Sequence, residues 1–310
     1  MKKIFIDGRN GTTGLRIEER LEKRDDIILL SIPEEKKKDP AERKKMLNEA
    51  DIAFLCLPDD AAREAVAMVE NENTCIIDTS TAHRTNPEFA YGFPELSGEH
   101  EEKIRSSKRI AVPGCHAGGF IALVYPLISS GILKKDAKLV AHSLTGYSGG
   151  GKSMIAAYES KERDLLLSTP RQYGITAKHK HLPEMQAVTG IESAPHFCPI
   201  VSSFYSGMEV TVPIFAEWLE EGKTRSDVIE AYKKLYTGPI VTYKENVDES
   251  GFLAAGRYSG FDSMEISVHG NDERILLVAR YDNLGKGASG AAVECLNIIL
   301  GEKKTKGLVI

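Results

Sequence analysis

Short apolar runs, each followed by a glycine-bearing turn or a charged segment of helical period, pattern the first third of the chain. Lys3-Ile4-Phe5-Ile6-Asp7 reads as a buried strand, and residues 15–23 have the apolar spacing of an amphipathic helix. Further strands are predicted at residues 27–32, 50–58 and 74–78, with a helix opening at Asp59. This alternation predicts a parallel, doubly wound sheet of Rossmann type, an α/β architecture. Arg109-Ile110-Ala111-Val112 continues the series, and an apolar helical run follows it to residue 132. Past residue 133 the character changes. Strands at residues 138–145, 206–215, 264–269 and 274–281, with helices at 225–235 and 291–300, predict a second α+β domain on a mixed, largely antiparallel sheet. The expected boundaries are 1–114 plus 286–310 for the first domain and 115–285 for the second, the last helix packing back on the first domain.

Two turns in this pattern carry candidate chemistry. Gly8, Gly11 and Gly14, with Thr12 and Thr13 between them, join the first strand to the first helix in a G-x-x-G-x-x-G spacing. A dinucleotide's pyrophosphate sits on the helix N-terminus in such a turn. The second strand ends without an aspartate, and Ser31 with Lys36-Lys37-Lys38 leans the pattern towards the extra phosphate of NADP. Cys115 lies between Pro113-Gly114 and Gly118-Gly119 at a strand-to-helix turn, where unpaired N–H groups and the helix dipole favour a thiolate. The plain alternative is a cysteine filling a gap, but the open glycine setting favours a nucleophile. Its neighbour His116 is expected to point elsewhere once the turn becomes helix.

Arg84 leaves the fourth strand in Asp78-Thr79-Ser80-Thr81-Ala82-His83-Arg84, where it can fork onto a phosphate or carboxylate or equally form a surface salt bridge. Tyr173 precedes His179-Lys180-His181-Leu182-Pro183-Glu184, whose histidines can share one face of an extended segment. That segment is a metal pair, a general acid/base histidine held by a carboxylate, or simply two surface histidines. Nothing further along the chain completes a ligand set, so no metal is expected. Gly146 to Ser153 matches the P-loop pattern G-x-x-x-x-G-K-S. The strand at 275–279 ends in Arg280 rather than an acidic residue, so a loop with Ser148 and Gly149 that cradles some other anion is the reading kept.

Composition narrows the classes. A formal charge of −5 offers nothing to a polyanion, so no nucleic acid is expected. The chain opens on a strand rather than an apolar leader, and Pro126, Ser129, Ser130 and Gly131 break its longest apolar run, so no membrane is expected either. Five cysteines without paired spacing point to a reducing, cytoplasmic setting.

Five segments in order resemble a single family: Gly8-x-x-Gly11-x-x-Gly14, Asp78 to Arg84, Pro113-Gly114-Cys115, His179-x-His181-x-Pro183-Glu184, and Asn283-Leu284-Gly285-Lys286-Gly287-Ala288. They are similar to the N-acetyl-gamma-glutamyl-phosphate reductases in their shorter variant, which belong with the aspartate-semialdehyde dehydrogenases. The resemblance implies NADPH-dependent reduction of an acyl phosphate, N-acetyl-glutamyl 5-phosphate, to its semialdehyde in arginine biosynthesis, through a thioester on Cys115. It implies His179 as proton carrier with Glu184 orienting or binding, and Tyr173, Arg84, Ser148 and Gly149 on the substrate. Asn283 would touch the nicotinamide, and the protein would be a homodimer or homotetramer. Gly146 to Gly151 then resembles the family's substrate-side loop. Aspartate-semialdehyde dehydrogenase, a P-loop nucleotide-binding protein and an NADP-binding redox module without turnover are the competing readings.

Overall fold

In the computed structural model, which describes residues 1–310, β1 (Lys2–Asp7) turns Ile4 and Ile6 to one core and Phe5 to another, as the two-residue period of a strand requires. After it come α1 (Thr12–Leu21), β2 (Ile27–Leu30), α2 (Pro40–Glu49), β3 (Ile52–Leu55), α3 (Asp59–Ala67), β4 (Cys75–Asp78), β5 (Ala90–Tyr91), α4 (Gly98–Ser106) and β6 (Arg109–Ala111). The six strands form one parallel sheet in the order β2-β1-β3-β4-β6-β5. Ile17 and Leu21 of α1 fill one face, while Met46 and Leu47 of α2 with Ala65 of α3 fill the other. Burial on both faces is why these strands read as continuous apolar runs.

The second unit begins at α5 (Cys115–Ser129) and continues through β7 (Val140–Gly146), α6 (Gly151–Glu159), β8 (Arg171–Gln172), α7 (Leu182–Thr189), β9 (His196–Ser202), β10 (Met208–Phe215), α8 (Arg225–Leu235), β11 (Val241–Tyr243), β12 (Met264–Gly270) and β13 (Arg274–Tyr281). Its seven strands run β11-β12-β13-β10-β7-β9-β8, parallel at β11/β12 and β7/β9 and antiparallel elsewhere. The chain then returns as α9 (Gly290–Leu300), whose Ala291, Ala292, Val293 and Leu296 complete the core that holds Ile4 and Ile6. The two units are thus Met1–Pro94, Gly98–Gly114 and Ala288–Leu308, and Glu95–Ser97, Cys115–Gly287 and Val309–Ile310.

α5 is buried on almost every side despite Pro126 in its interior. A proline lacks the N–H that would reach the carbonyl four residues back. Here that carbonyl belongs to Ala122, and the Tyr236 hydroxyl donates to it at 2.7 Å. Tyr232, from α8, donates to the next carbonyl, that of Leu123. The helix stops at Ser129 rather than residue 132, ahead of Gly131 in the left-handed region (φ +63°). Elsewhere boundaries shift by a few residues, while α2, α4, α7, β9 and β11 have no counterpart in the pattern read from the sequence. The third strand is only Ile52–Leu55, which leaves Cys56 just past its end instead of inside it.

Arg280 is the largest of the fully buried side chains, and it is charged. Arg280, 1% exposed in β13, donates to Glu265 Oε1 from Nε (2.9 Å) and Nη2 (2.7 Å), and from Nη1 to Glu249 (2.9 and 3.0 Å). Removing one partner of a buried pair strands the other's charge. Arg280→Ala should therefore cost about 3–5 kcal/mol of stability, read as a fall in the urea midpoint. An unchanged midpoint would show that the cluster is solvated.

Candidate active site

The first unit carries a turn shaped for an anion. Gly8 holds φ +83°, and any Cβ there would run into the Cys56 carbonyl, so only glycine closes the turn after β1. Gly11 caps α1 with no side-chain hydrogen bond, and the first turn holds no acidic residue, which leaves the amides around Thr12, Thr13 and Gly14 open to a ligand. A cavity of about 560 Å³ adjoins this turn, lined among others by Gly8, Gly11, Ser31, Lys37 and Lys38. Ser31 stands exposed past the tip of β2, where an acidic residue would meet a ribose hydroxyl. The donors fit a dinucleotide with an additional phosphate. Asp7, at the end of β1, is clamped by Arg43 of α2 (Nη2 to Oδ2 2.9 Å), and burial pushes its carboxyl up against that pull. Arg43 had no sequence signal, because it lies in the charged run Glu42-Arg43-Lys44-Lys45.

Arg84 does not stand free at the end of β4. Its Nε donates to the Val112 carbonyl and its Nη2 to that of Thr79, each at 2.9 Å, bracing the loop. The same loop is tied by Asp78, which accepts from Ser80 N (2.9 Å) and Ser80 Oγ (2.7 Å) and pairs with His83 Nδ1 (2.7 Å). His83 stacks on Phe89 at 4.4 Å.

Cys115 opens α5 in the second unit, half-buried. The Tyr281 hydroxyl donates to the Cys115 carbonyl and accepts from the Gly119 amide at 3.1 Å, bridging the donor and acceptor of the helix's first turn. A Cβ on Gly119 would lie 2.5 Å from that hydroxyl, so glycine is required there. Tyr281 is fully buried. Desolvation, with the Cys115 charge second, holds its hydroxyl far above its ordinary range and keeps the proton on. Asp282 then shapes a π-helical turn over Gly285–Ser289 by accepting from the Leu284 amide (2.8 Å) and from Ser206 Oγ (3.0 Å). Lys286 in that turn is paired with both oxygens of Glu95 (2.9 and 2.7 Å).

His116 proves central rather than averted. It is 3% exposed, with Nδ1 2.7 Å from Ser143 Oγ and Nε2 2.6 Å from the Tyr173 hydroxyl. Its ring packs against His179 (5.8 Å between centroids), His181 (5.7 Å) and Phe197 (5.3 Å). Burial, with His179 second, lowers its pKa to about 3, so it is neutral throughout the physiological range. His179 is lowered too, first by burial and then by Lys180. The two motif histidines do not share an extended face: Lys180 and His181 form a turn, and Leu182 begins α7. That turn aims the His181 amide at His179 Nδ1 (3.2 Å), which places the neutral ring's proton on Nε2. Glu184 is buried in the first turn of α7.

Ser148 is buried, and its hydroxyl accepts from the Asn283 amide at 3.0 Å, while Gly149 is exposed. The Asn283 carbonyl oxygen takes the Gly207 amide at 3.0 Å, so this side chain fastens two loops of its own unit. The amides of Tyr147 and Ser148 donate to the carbonyls of Phe204 and Tyr205, each at 3.0 Å, and Lys152 and Ser153 face solvent. A P-loop needs those amides and that lysine turned onto phosphate. No group of three or more His, Cys, Asp or Glu is placed to hold a metal, and no helix is long and apolar enough to cross a membrane.

Residues 3–104 match the family model described as semialdehyde dehydrogenase, NAD binding domain, and residues 115–283 the semialdehyde dehydrogenase, dimerisation domain. An N-acetyl-gamma-glutamyl-phosphate reductase of Rhizobium meliloti is 46% identical over 305 residues, covering 96% of this chain and 98% of that protein. N-acetyl-gamma-glutamyl-phosphate reductase 2 of Nostoc sp. is 44% identical over 318 residues, covering 99% of each. Among solved structures, aspartate semialdehyde dehydrogenase II of Vibrio cholerae complexed with ASA has a TM-score of 0.70 at 14% identity, covering 97% of this chain and 98% of that one. The Francisella tularensis aspartate semialdehyde dehydrogenase has a TM-score of 0.73 at 13% identity, covering 97% and 100%. The last two likenesses speak for the α/β fold alone.

The Tyr281 bridge makes a direct expectation. Tyr281→Phe and Gly119→Ala should each slow iodoacetamide alkylation of Cys115 by about tenfold at neutral pH, because both loosen the turn that exposes the thiol to the helix N-terminus. Wild-type alkylation rates in both variants would show that the bridge does not tune the thiol.

Proposed function

Belonging as it does to the N-acetyl-gamma-glutamyl-phosphate reductase family, the chain is one for which we propose that family's reaction: reduction of N-acetyl-L-glutamyl 5-phosphate to N-acetyl-L-glutamate 5-semialdehyde, a step of arginine biosynthesis, with NADPH as reductant. The observation that carries the reading is Cys115 at the head of a buried helix, its carbonyl held by Tyr281. The first unit is the dinucleotide-binding domain and the second the catalytic and pairing domain of a cytoplasmic homodimer or homotetramer. Gly8, Gly11, Thr12, Thr13 and Gly14 would hold the pyrophosphate, and Ser31 with Lys37 and Lys38 the extra phosphate. When bound, the cofactor supplies a hydride to the acyl carbon.

Cys115 attacks the carbonyl carbon as a thiolate, the C–O bond to phosphate breaks, and phosphate leaves with the electron pair. The thioester, once reduced, is a tetrahedral oxyanion on Cys115. Its collapse expels the thiolate and releases the semialdehyde. His179, with its proton on Nε2, suits the donor that steadies this oxyanion. A proton carrier would have to give up the bond from the His181 amide to Nδ1. Glu184 lies on the neighbouring helical turn as the orienting or binding carboxylate, with Tyr173, Arg84, Ser148 and Gly149 as the substrate-side contacts and Asn283 as the nicotinamide-side contact.

The test is phosphate-dependent NADP⁺ reduction with N-acetyl-glutamate 5-semialdehyde beside aspartate semialdehyde. Turnover of the acetylated substrate is expected, and turnover of aspartate semialdehyde alone would overturn the assignment. Cys115→Ser should abolish reduction while keeping NADPH affinity. Near-wild-type turnover in that variant would remove the covalent scheme. His179→Gln keeps an N–H near the Nε2 position, so as a donor site it should retain at least about tenfold more kcat than His179→Ala. Equal losses would assign His179 to proton carriage instead.

A further inference from the structure

Ser143, on β7, is fully buried, and its hydroxyl has one partner, His116 Nδ1. The Tyr173 hydroxyl likewise has one partner, His116 Nε2. A neutral imidazole offers one donor and one acceptor, so the three groups have two possible proton arrangements. In one, Tyr173 donates to Nε2, Nδ1–H donates to Ser143, and the Ser143 proton is left in a dry interior with no acceptor. In the other, Ser143 donates to Nδ1, Nε2–H donates to the Tyr173 oxygen, and the proton left over is that of Tyr173, on a half-buried side chain. A buried orphan donor costs more than a hydrogen bond returns. Burial of Ser143 therefore decides the direction.

We propose that Ser143, His116 and Tyr173 form a one-way hydrogen-bond relay in which His116 is a positioning residue that obliges the Tyr173 hydroxyl to donate to the oxygen of the reacting acyl group. The relay deepens the reductase reading and rests on Cys115 as the acyl acceptor, since His116 is its chain neighbour. Two other states are closed to it. Burial excludes the imidazolium, and burial together with the Cys115 charge keeps the tyrosine protonated. The edge contacts from His179 and Phe197 fix the ring plane that the two hydrogen bonds define.

The first test needs no substrate. With ¹⁵N-histidine in the full chain and His116→Gln to assign the signal, His116 should appear as the Nε2–H tautomer and stay so between about pH 5 and about pH 9. An Nδ1–H tautomer, or titration in that range, overturns the relay. The second test is kinetic. His116→Leu and Tyr173→Phe should each lower kcat by about 10–100-fold with KM and NADPH affinity little changed, and the double variant should be no worse than Tyr173→Phe. His116→Gln, which keeps a donor at Nε2, should recover most of the loss. Additive losses would mean that His116 does not act through Tyr173. If His116→Leu melts early, Ser143→Ala serves in its place. It frees the relay to reverse and should lower kcat by about tenfold, whereas a wild-type rate overturns the proposal. Turnover of aspartate semialdehyde alone would strike the reductase reading, and turnover surviving in Cys115→Ser the covalent scheme, while the tautomer result would stand or fall independently of both.

Discussion

The chemistry of the second unit depends on one hydroxyl. Tyr281 reaches from the end of β13 to the first turn of α5 and holds the Cys115 carbonyl and the Gly119 amide together. The residues after it continue the work: Asp282 shapes the π-helical turn, Asn283 joins Ser148 to Gly207, and Lys286 binds Glu95. A segment of six residues thus fixes the head of α5, a neighbouring loop and the strand-to-helix return. This is why the Asn283-Leu284-Gly285-Lys286-Gly287 stretch resists being read as a simple loop.

Around the cysteine, burial drives the ionisable groups neutral. It lowers His116 and His179, and it raises Tyr173 and Tyr281. In such low-polarity surroundings any hydrogen-bond donor to a thiolate would count for more than it does in water. The first unit is built the opposite way: an uncapped helix start and exposed lysines line an open cavity.

Most of the architecture was readable because the strands are apolar runs and the turns between them carry glycines. The exceptions have physical causes. α2 was invisible because Met46 and Leu47 are the only large apolar residues in Pro40–Glu49, too few to make a stripe. The strand-to-helix turn at Cys115 was readable from its glycines. Helical rotation alone predicts that His116 points aside, whereas α5 is buried nearly all round and rotation carries the ring onto Ser143 of β7, beside Tyr173 and His179. Tyr281 and Ser143 left no mark, since a tyrosine or serine inside a strand looks like ordinary packing until the partner strand and helix are in place. His179 and His181 were found by motif, but the turn between them, and so the tautomer of His179, depends on where α7 begins.

The interruption of the first unit bears on how the chain is made. The stretch Cys115–Gly287 belongs to one unit without a break, while the sheet of β1 to β6 waits for α9 to supply Ala291, Ala292, Val293 and Leu296. At roughly 5–20 residues per second on the ribosome, the later-coded stretch Cys115–Gly287 is synthesised about one to three seconds before the earlier-coded sheet receives its last helix, and only Val309–Ile310 of the same unit follow that helix. A nascent chain halted just before Gly290 would hold the thiol scaffold short only of those two residues, and a sheet with one apolar face still wet.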